Sequence, residues 1–221
     1  MRKCMLILAV VLVCTLAACD SDDMPEELVG GGDYAVLDAY IGARSQGPAW
    51  FWVGREDSGA WQNLFNMPEW GDSNWQFSNQ EAGQAASNWA SLNNWNDLGN
   101  VSVRATNNEG RKYTIAVAFE APNAGTVTIS NFSVISFDDE SGMDTAPLGD
   151  VAVKIWRGTT ELASTTIALG EATAEVTGTV TGVTDTALDA GERIYIGVDP
   201  LASDRTGVDL SNLVVQYTPD L

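Results

Sequence analysis

Seven of the eight tryptophans, Trp50, Trp52, Trp61, Trp70, Trp75, Trp89 and Trp95, fall within 46 residues of a stretch otherwise rich in Asn, Ser and Gln. An indole offers a flat apolar face on which the axial C–H bonds of a sugar ring can pack, while neighbouring Asn, Gln and Asp side chains hydrogen-bond its hydroxyls. The segment WGDSNWQFSNQ (70–80) has this composition. Indoles are also large hydrophobes that fill sandwich cores, so the two uses have to be separated. Trp50 and Trp52, two residues apart in the strand-like WFWVGRE (50–56), belong on one core-facing side. Trp61 is open to either use. Trp70, Trp75, Trp89 and Trp95 are the candidate ligand-binding residues, joined by Trp156 from the C-terminal half.

Other chemistry is sparse. The chain has no histidine, which removes the Ser-His-Asp and Cys-His nucleophile systems and His-ligated zinc. Thirty acidic residues make a glycosidase-type carboxylate pair easy to imagine and impossible to assign. The acidic run FDDESGMD (137–144) does not follow the alternating ligand pattern of an EF-hand, and reads as an acidic turn.

Arg2 and Lys3 precede a largely apolar run from Met5 to Ala18, and the chain then turns polar at Asp20, Asp22 and Asp23. This is the pattern of a signal peptide over residues 1–18. Leu16-Ala17-Ala18-Cys19 resembles a bacterial lipobox, which implies cleavage before Cys19 and lipidation of its sulfur. Two or more acyl chains anchor stably, where one holds only marginally. Cys4 and Cys14 would leave with the leader and Cys19 would carry lipid, so the mature chain is expected to have neither a disulfide nor a Cys-based metal site. Loss of Arg2 and Lys3 moves the formal charge from −19 to −21. Such a field repels nucleic acid and anionic polymers and favours neutral ligands. Residues 20–32, DSDDMPEELVGGG, combine acid charge, proline and a triple glycine, and with Cys19 they read as a lipidated, flexible tether spanning 19–32.

From Asp33 to Leu221 the pattern suits a single all-β domain, an antiparallel β-sandwich with long Trp/Asn-rich loops in its N-terminal half. Strand signals rich in Val, Ile, Thr and aromatics run over 112–122, 125–137, 151–158, 161–169, 174–183, 192–200 and 208–218. Alternation places Tyr113, Ile115, Val117 and Phe119 toward the core. It does the same for Val151, Val153 and Ile155, and for Ile194, Ile196 and Val198, leaving Trp156 and Tyr195 on the opposite, exposed face. The apolar phase slips between Ile129 and Phe132, which predicts a β-bulge near Ser130 and Asn131. Residues 66–100 show no sustained period and are expected to form loops, with room for a short helix over 80–89.

The order of these elements resembles the jelly-roll, galactose-binding-like domains of carbohydrate-binding-module type. The resemblance runs from PAWFWVGR through YTIAVAFEAPNAGTVTIS, VAVKIWRGTTELAS and LDAGERIYIGVDP to the closing VDLSNLVVQYT, with Glu192 where that family prefers Asp. It implies a jelly-roll sandwich, binding without catalysis, no required cofactor, and a structural Ca²⁺ near the first and last strands, for which Asp38 and Asp209 are the candidate ligands. The sequence thus carries three readings. The first is a lipid-anchored domain binding a neutral polysaccharide or glycan at the cell envelope, more on the outer than the inner membrane. The second is an envelope lipoprotein that docks a protein partner, and the third is a polysaccharide-degrading enzyme.

Overall fold

The computed structural model describes residues 31–36, 49–66, 75–76, 91–93, 101–108, 111–136, 150–168, 176–201 and 205–220. In chain order its strands are β1 (Gly32–Ala35), β2 (Trp50–Glu56), β3 (Gln62–Asn63), β4 (Phe65–Asn66), β5 (Trp75–Gln76), β6 (Ser91–Asn93), β7 (Val101–Asn108), β8 (Arg111–Glu120) and β9 (Gly125–Ile129). They continue with β10 (Phe132–Ser136), β11 (Val151–Arg157), β12 (Thr160–Ile167), β13 (Thr177–Val180), β14 (Val183–Leu188), β15 (Arg193–Pro200), β16 (Arg205–Ser211) and β17 (Val214–Pro219). Every pairing among them is antiparallel. The fold is an all-β antiparallel sandwich.

One layer has the order β3-β2-β8-β15-β11-β12. The other contains β4-β5-β6-β7-β16-β10-β13, joined to the first through the β7–β8 hairpin, together with the separate sheet β1-β17-β9-β14. At the far side the layers meet again where Ile167 of β12 packs against Gly178 of β13. Between them lies one core, to which β8 contributes Tyr113, Ile115, Val117 and Phe119, β11 contributes Val151, Val153 and Ile155, and β15 contributes Ile194, Ile196 and Val198. Val103, Val134, Leu210, Val127 and Val215 oppose them from the second layer. Alternation along each strand therefore sorts these residues as the sequence predicts. Trp50 and Trp52 are in the same core, with Trp50 edge-on to Phe119 at 5.7 Å.

The second layer turns a corner. β9 and β10, β13 and β14, and β16 and β17 are successive strands separated by two residues each, and each pair passes from one sheet to the other. β9 lies between β14 and β17, and β10 lies between β13 and β16, so the three crossings are neighbours. The phase slip at Ser130 and Asn131 is this crossing and not a bulge: the apolar side changes because the chain leaves one sheet for another. Asn131 Oδ1 accepts the Gly182 N–H at 3.0 Å, and Asn212 takes a left-handed φ of 58°, a conformation Asn tolerates.

Three further differences from the sequence reading concern the N-terminal part. β7 fills a span the hydrophobic pattern left unassigned, since VSVRATNN carries polar residues at its outward positions. Short strands β4, β5 and β6 interrupt the expected loop region, while the candidate helix over 80–89 lies outside the described residues. Gly32 already belongs to β1, paired with Tyr217, so the sandwich includes the last residue assigned to the tether.

Candidate functional site

The side of β2, β8, β15 and β11 facing away from the core is organised in rows set by the strand register. Trp156, Tyr195, Ala118 and Phe51 lie across four neighbouring strands. Lys154, Gly197, Ala116 and Val53 form the next row, and Ala152, Asp199, Thr114 and Arg55 the third, with Thr114 Oγ1 donating to Asp199 at 3.4 Å. The middle row is low, because Gly197 and Ala116 approach so closely that a Cβ on Gly197 would sit 2.5 Å from the Ala116 Cβ and 2.6 Å from the Ile115 carbonyl oxygen.

Trp61 fills that depression. After β2 the chain turns at Asp57, whose φ is 50°, and is pinned there by the Asp57 N–H donating to the Lys112 carbonyl and by Asp57 Oδ1 accepting the Lys112 N–H. The return strand β3 then brings Trp61 over the face, where it packs on a cluster of Val53, Ala116, Ala118, Trp156 and Tyr195. Its ring stacks on Tyr195 at 4.6 Å and 8° and meets Trp156 edge-on at 5.4 Å. Trp61 Nε1–H donates to the Gly158 carbonyl at 3.2 Å, in the β11–β12 turn. Arg55 covers both indoles, its guanidinium carbon 4.4 Å from the Trp61 ring centre and 4.7 Å from that of Trp156.

Trp156 and Tyr195 are therefore not exposed, contrary to the alternation-based expectation: their residual exposures are 2% and 9%. They do occupy the side away from the core, and a residue from a distant loop covers them. This removes Trp156 as an open stacking platform and leaves Trp61 and Phe51, both half-buried, as the aromatics at the surface of the cluster. Burial raises the Tyr195 phenol above its ordinary pKa, with Arg193 opposing and Glu120 and Glu192 adding to the shift. Burial lowers the Arg55 guanidinium, partly offset by the charges of Asp199 and Glu161. For Lys154, burial would lower the ammonium, but hydrogen bonds and charge from Asp199 at 3.0 Å and Glu161 at 3.2 Å outweigh it and leave the pKa raised.

A second charged border lies beyond Phe51 and Tyr195. Arg193 stands over the Phe51 ring at 3.6 Å and bonds Glu120 at 2.7 Å. Arg157 makes a two-pronged contact with Glu192 at 2.7 and 2.8 Å, and Glu192 also accepts the Asp189 N–H at 3.0 Å. The glutamate standing where the resembled family prefers aspartate thus holds both a neighbouring strand and its own turn. Its hydrogen bond from Arg157 holds the Glu192 carboxyl below its ordinary pKa despite partial burial. The stabilisation is present above the unfolded value near 4.3 and is lost as pH falls through the folded one. Glu192→Gln is expected to lower the Tm by roughly 1–4 °C at pH 7, and calorimetry should find the difference between the two proteins shrinking as the pH is lowered into the acid range.

The remaining candidates are placed unevenly. Trp75 is on β5, opposite Asn66 of β4 and Leu92 of β6. Trp70, Trp89, Trp95, Asp38 and Cys19 lie outside the described residues, as does the 137–144 run. Asp209 is on β16, 4% exposed, and accepts a hydrogen bond from the buried Ser102 of β7. The first and last strands are neighbours, and Val36 N–H donates to the Leu213 carbonyl. Asp209, however, precedes the bend and sits in the other sheet from that junction. Calcium asks for six to eight oxygen ligands. Asp209 brings one carboxylate already bonded to Ser102, and among the described residues no three His, Cys, Asp or Glu side chains are placed to share a metal ion.

No family model matches the chain, and no curated protein matches its sequence. Among solved structures it is similar to an arabinose-bound α-L-arabinofuranosidase, at 11% identity and a TM-score of 0.35 over 76% of this chain and 23% of that one. It is also similar to a Stig cyclase, Fisc from Fischerella sp. TAU, at 14% identity and a TM-score of 0.37 over 87% of this chain and 100% of that one. The chain thus spans less than a quarter of the arabinofuranosidase. The protein is an antiparallel β-sandwich whose outer face carries an aromatic cluster, with Arg55 over its indoles, among paired charges.

Proposed function

We propose that this protein is a non-catalytic glycan-binding domain of carbohydrate-binding-module type with a jelly-roll sandwich, held at the bacterial envelope through lipid on Cys19. The observation that carries the reading is the half-buried Trp61 indole, seated beside the Arg55 guanidinium and the ion-paired Lys154, Asp199 and Glu161. An aromatic surface flanked by oriented polar groups is what a polyhydroxylated ring needs, since each hydroxyl both donates and accepts. Trp70, Trp75, Trp89 and Trp95 remain candidates for extending the contact along a polymer, and the acidic chain favours a neutral one.

Docking of a protein partner through an apolar surface has less support. Among the described residues the exposed large hydrophobics are Leu162 and Leu201, and isolated side chains do not make a patch.

The test uses soluble protein lacking residues 1–30, which keeps β1 intact, in native gels containing hydroxyethylcellulose, soluble starch, galactomannan or polygalacturonate. Retardation by at least one neutral polymer and none by polygalacturonate is expected, together with a shift in tryptophan fluorescence. Migration unchanged in all four gels overturns the glycan reading. In the full chain expressed in a bacterial host, Cys19→Ser should move the protein from the detergent phase to the aqueous phase on Triton X-114 partition.

A further inference from the structure

The capped face contains a cation with an unusual set of partners. Arg55 Nε is buried with no hydrogen-bond partner among the described residues, and the guanidinium forms no ion pair with any of them. The two carboxylates whose charge it feels, Asp199 and Glu161, are both held by Lys154. Arg55 thus keeps its place chiefly through the two indole faces. A cation over a ring at a partly exposed site is worth about 0.5–1 kcal/mol, whereas a buried N–H left without an acceptor costs about 1–3 kcal/mol. That balance makes the seat easy to leave.

Resting on the glycan reading above, we propose that Arg55 is a displaceable cap and the specificity-determining residue of this face. A neutral pyranose takes over the Trp61 surface with its C–H side, and the released guanidinium turns to donate to adjacent ring hydroxyls. The partner hydroxyls donate to Glu161 or Asp199, whose charges draw Arg55 in that direction. Arg55, Lys154, Asp199 and Glu161 sum to zero charge, so an acidic sugar gains nothing from the group and has to compete for Lys154 against two carboxylates. The ligand class is an uncharged hexose-type polymer with vicinal hydroxyls facing the protein. Arginine suits the role because its planar fork can lie flat on an indole in one state and present paired donors in the other.

The experiment measures affinity, by calorimetry and tryptophan fluorescence, for whichever of hydroxyethylcellulose, soluble starch or galactomannan retards the wild-type protein. Arg55→Met keeps an unbranched apolar stem over the rings but removes every donor, and binding is expected to weaken about 10- to 100-fold, corresponding to the loss of hydrogen bonds from a charged group. Arg55→Lys retains a cation without the fork, and a weakening of at least about fivefold is expected; this variant decides the matter should Arg55→Met fail to fold. Affinities within twofold of wild type for the folded variants overturn the cap while leaving the glycan reading intact. A wild-type protein that binds none of the three polymers overturns both.

Discussion

Replacing Gly182 with alanine is expected to destabilise the domain by about 3 kcal/mol, a fall in Tm of roughly 6–12 °C. A Cβ there would lie 1.8 Å from the Ile129 carbonyl oxygen and 2.8 Å from the carbonyl carbons of Ile129 and Ser130. All three are backbone atoms, so no rotamer change relieves the clash. The strand must move at the point where β13 passes into β14, which also pulls the Gly182 N–H from Asn131 Oδ1. Because β9–β10 adjoins that crossing in both sheets, the displacement reaches each half of the layer. Gly32→Ala is the control: a Cβ at Gly32 meets nothing within 4 Å, and the Tm should stay within about 2 °C of wild type. Equal thermal transitions for the two variants would show that the corner is not held as described.

Trp61→Ala is the second large effect, with an expected loss of about 2–4 kcal/mol and a Tm lower by roughly 5–15 °C. The ring contributes a stack with Tyr195, an edge contact with Trp156, a seat for Arg55 and a hydrogen bond to Gly158, each worth on the order of 0.5–1.5 kcal/mol beyond area burial. The sandwich core does not include it, so far-UV circular dichroism should persist while the near-UV aromatic bands weaken. The Tyr195 phenol provides an independent readout. Its raised pKa means that the associated stabilisation is complete below the ordinary tyrosine value near 10 and fades as pH rises through the folded one. Uncovering the ring should bring its alkaline absorbance titration back toward that ordinary value. A variant with unchanged Tm and unchanged tyrosine titration would contradict the arrangement.

These two positions also show where the sequence was informative. The inward residues of β8, β11 and β15 follow strict alternation, because a strand buried on one face has no other way to place its side chains. The same pattern put Trp156 and Tyr195 on the outer face correctly, yet exposure did not follow. Their cover comes from Trp61, 95 residues before Trp156, and local periodicity has no term for a distant loop. The corner was visible only as a slip at Ser130 and Asn131, since a bulge and a change of sheet leave the same one-residue mark. Gly182 could not be recognised as its other side, because the close approach to Ile129 depends on a pairing that the sequence does not announce. Of the candidate site, the indoles were legible as a composition, whereas Arg55 was not singled out at all. Its significance lies in having two aromatic faces beneath it and no described acceptor beside it.

The pairing of β1 with β17 bears on the order in which the molecule can assemble. Gly32 to Ala35 bond residues 214–217, so the contact with nearly the greatest separation along the chain joins the beginning of the domain to its end. Closing so long a loop yields no return until most of the intervening strands are in place, which puts this step late and makes it slow. During synthesis in the N-to-C direction, β1 emerges early and must wait, with its edge unpaired, until the closing strand arrives. A holding factor or rapid transit through that interval would protect the nascent chain from pairing with its neighbours instead.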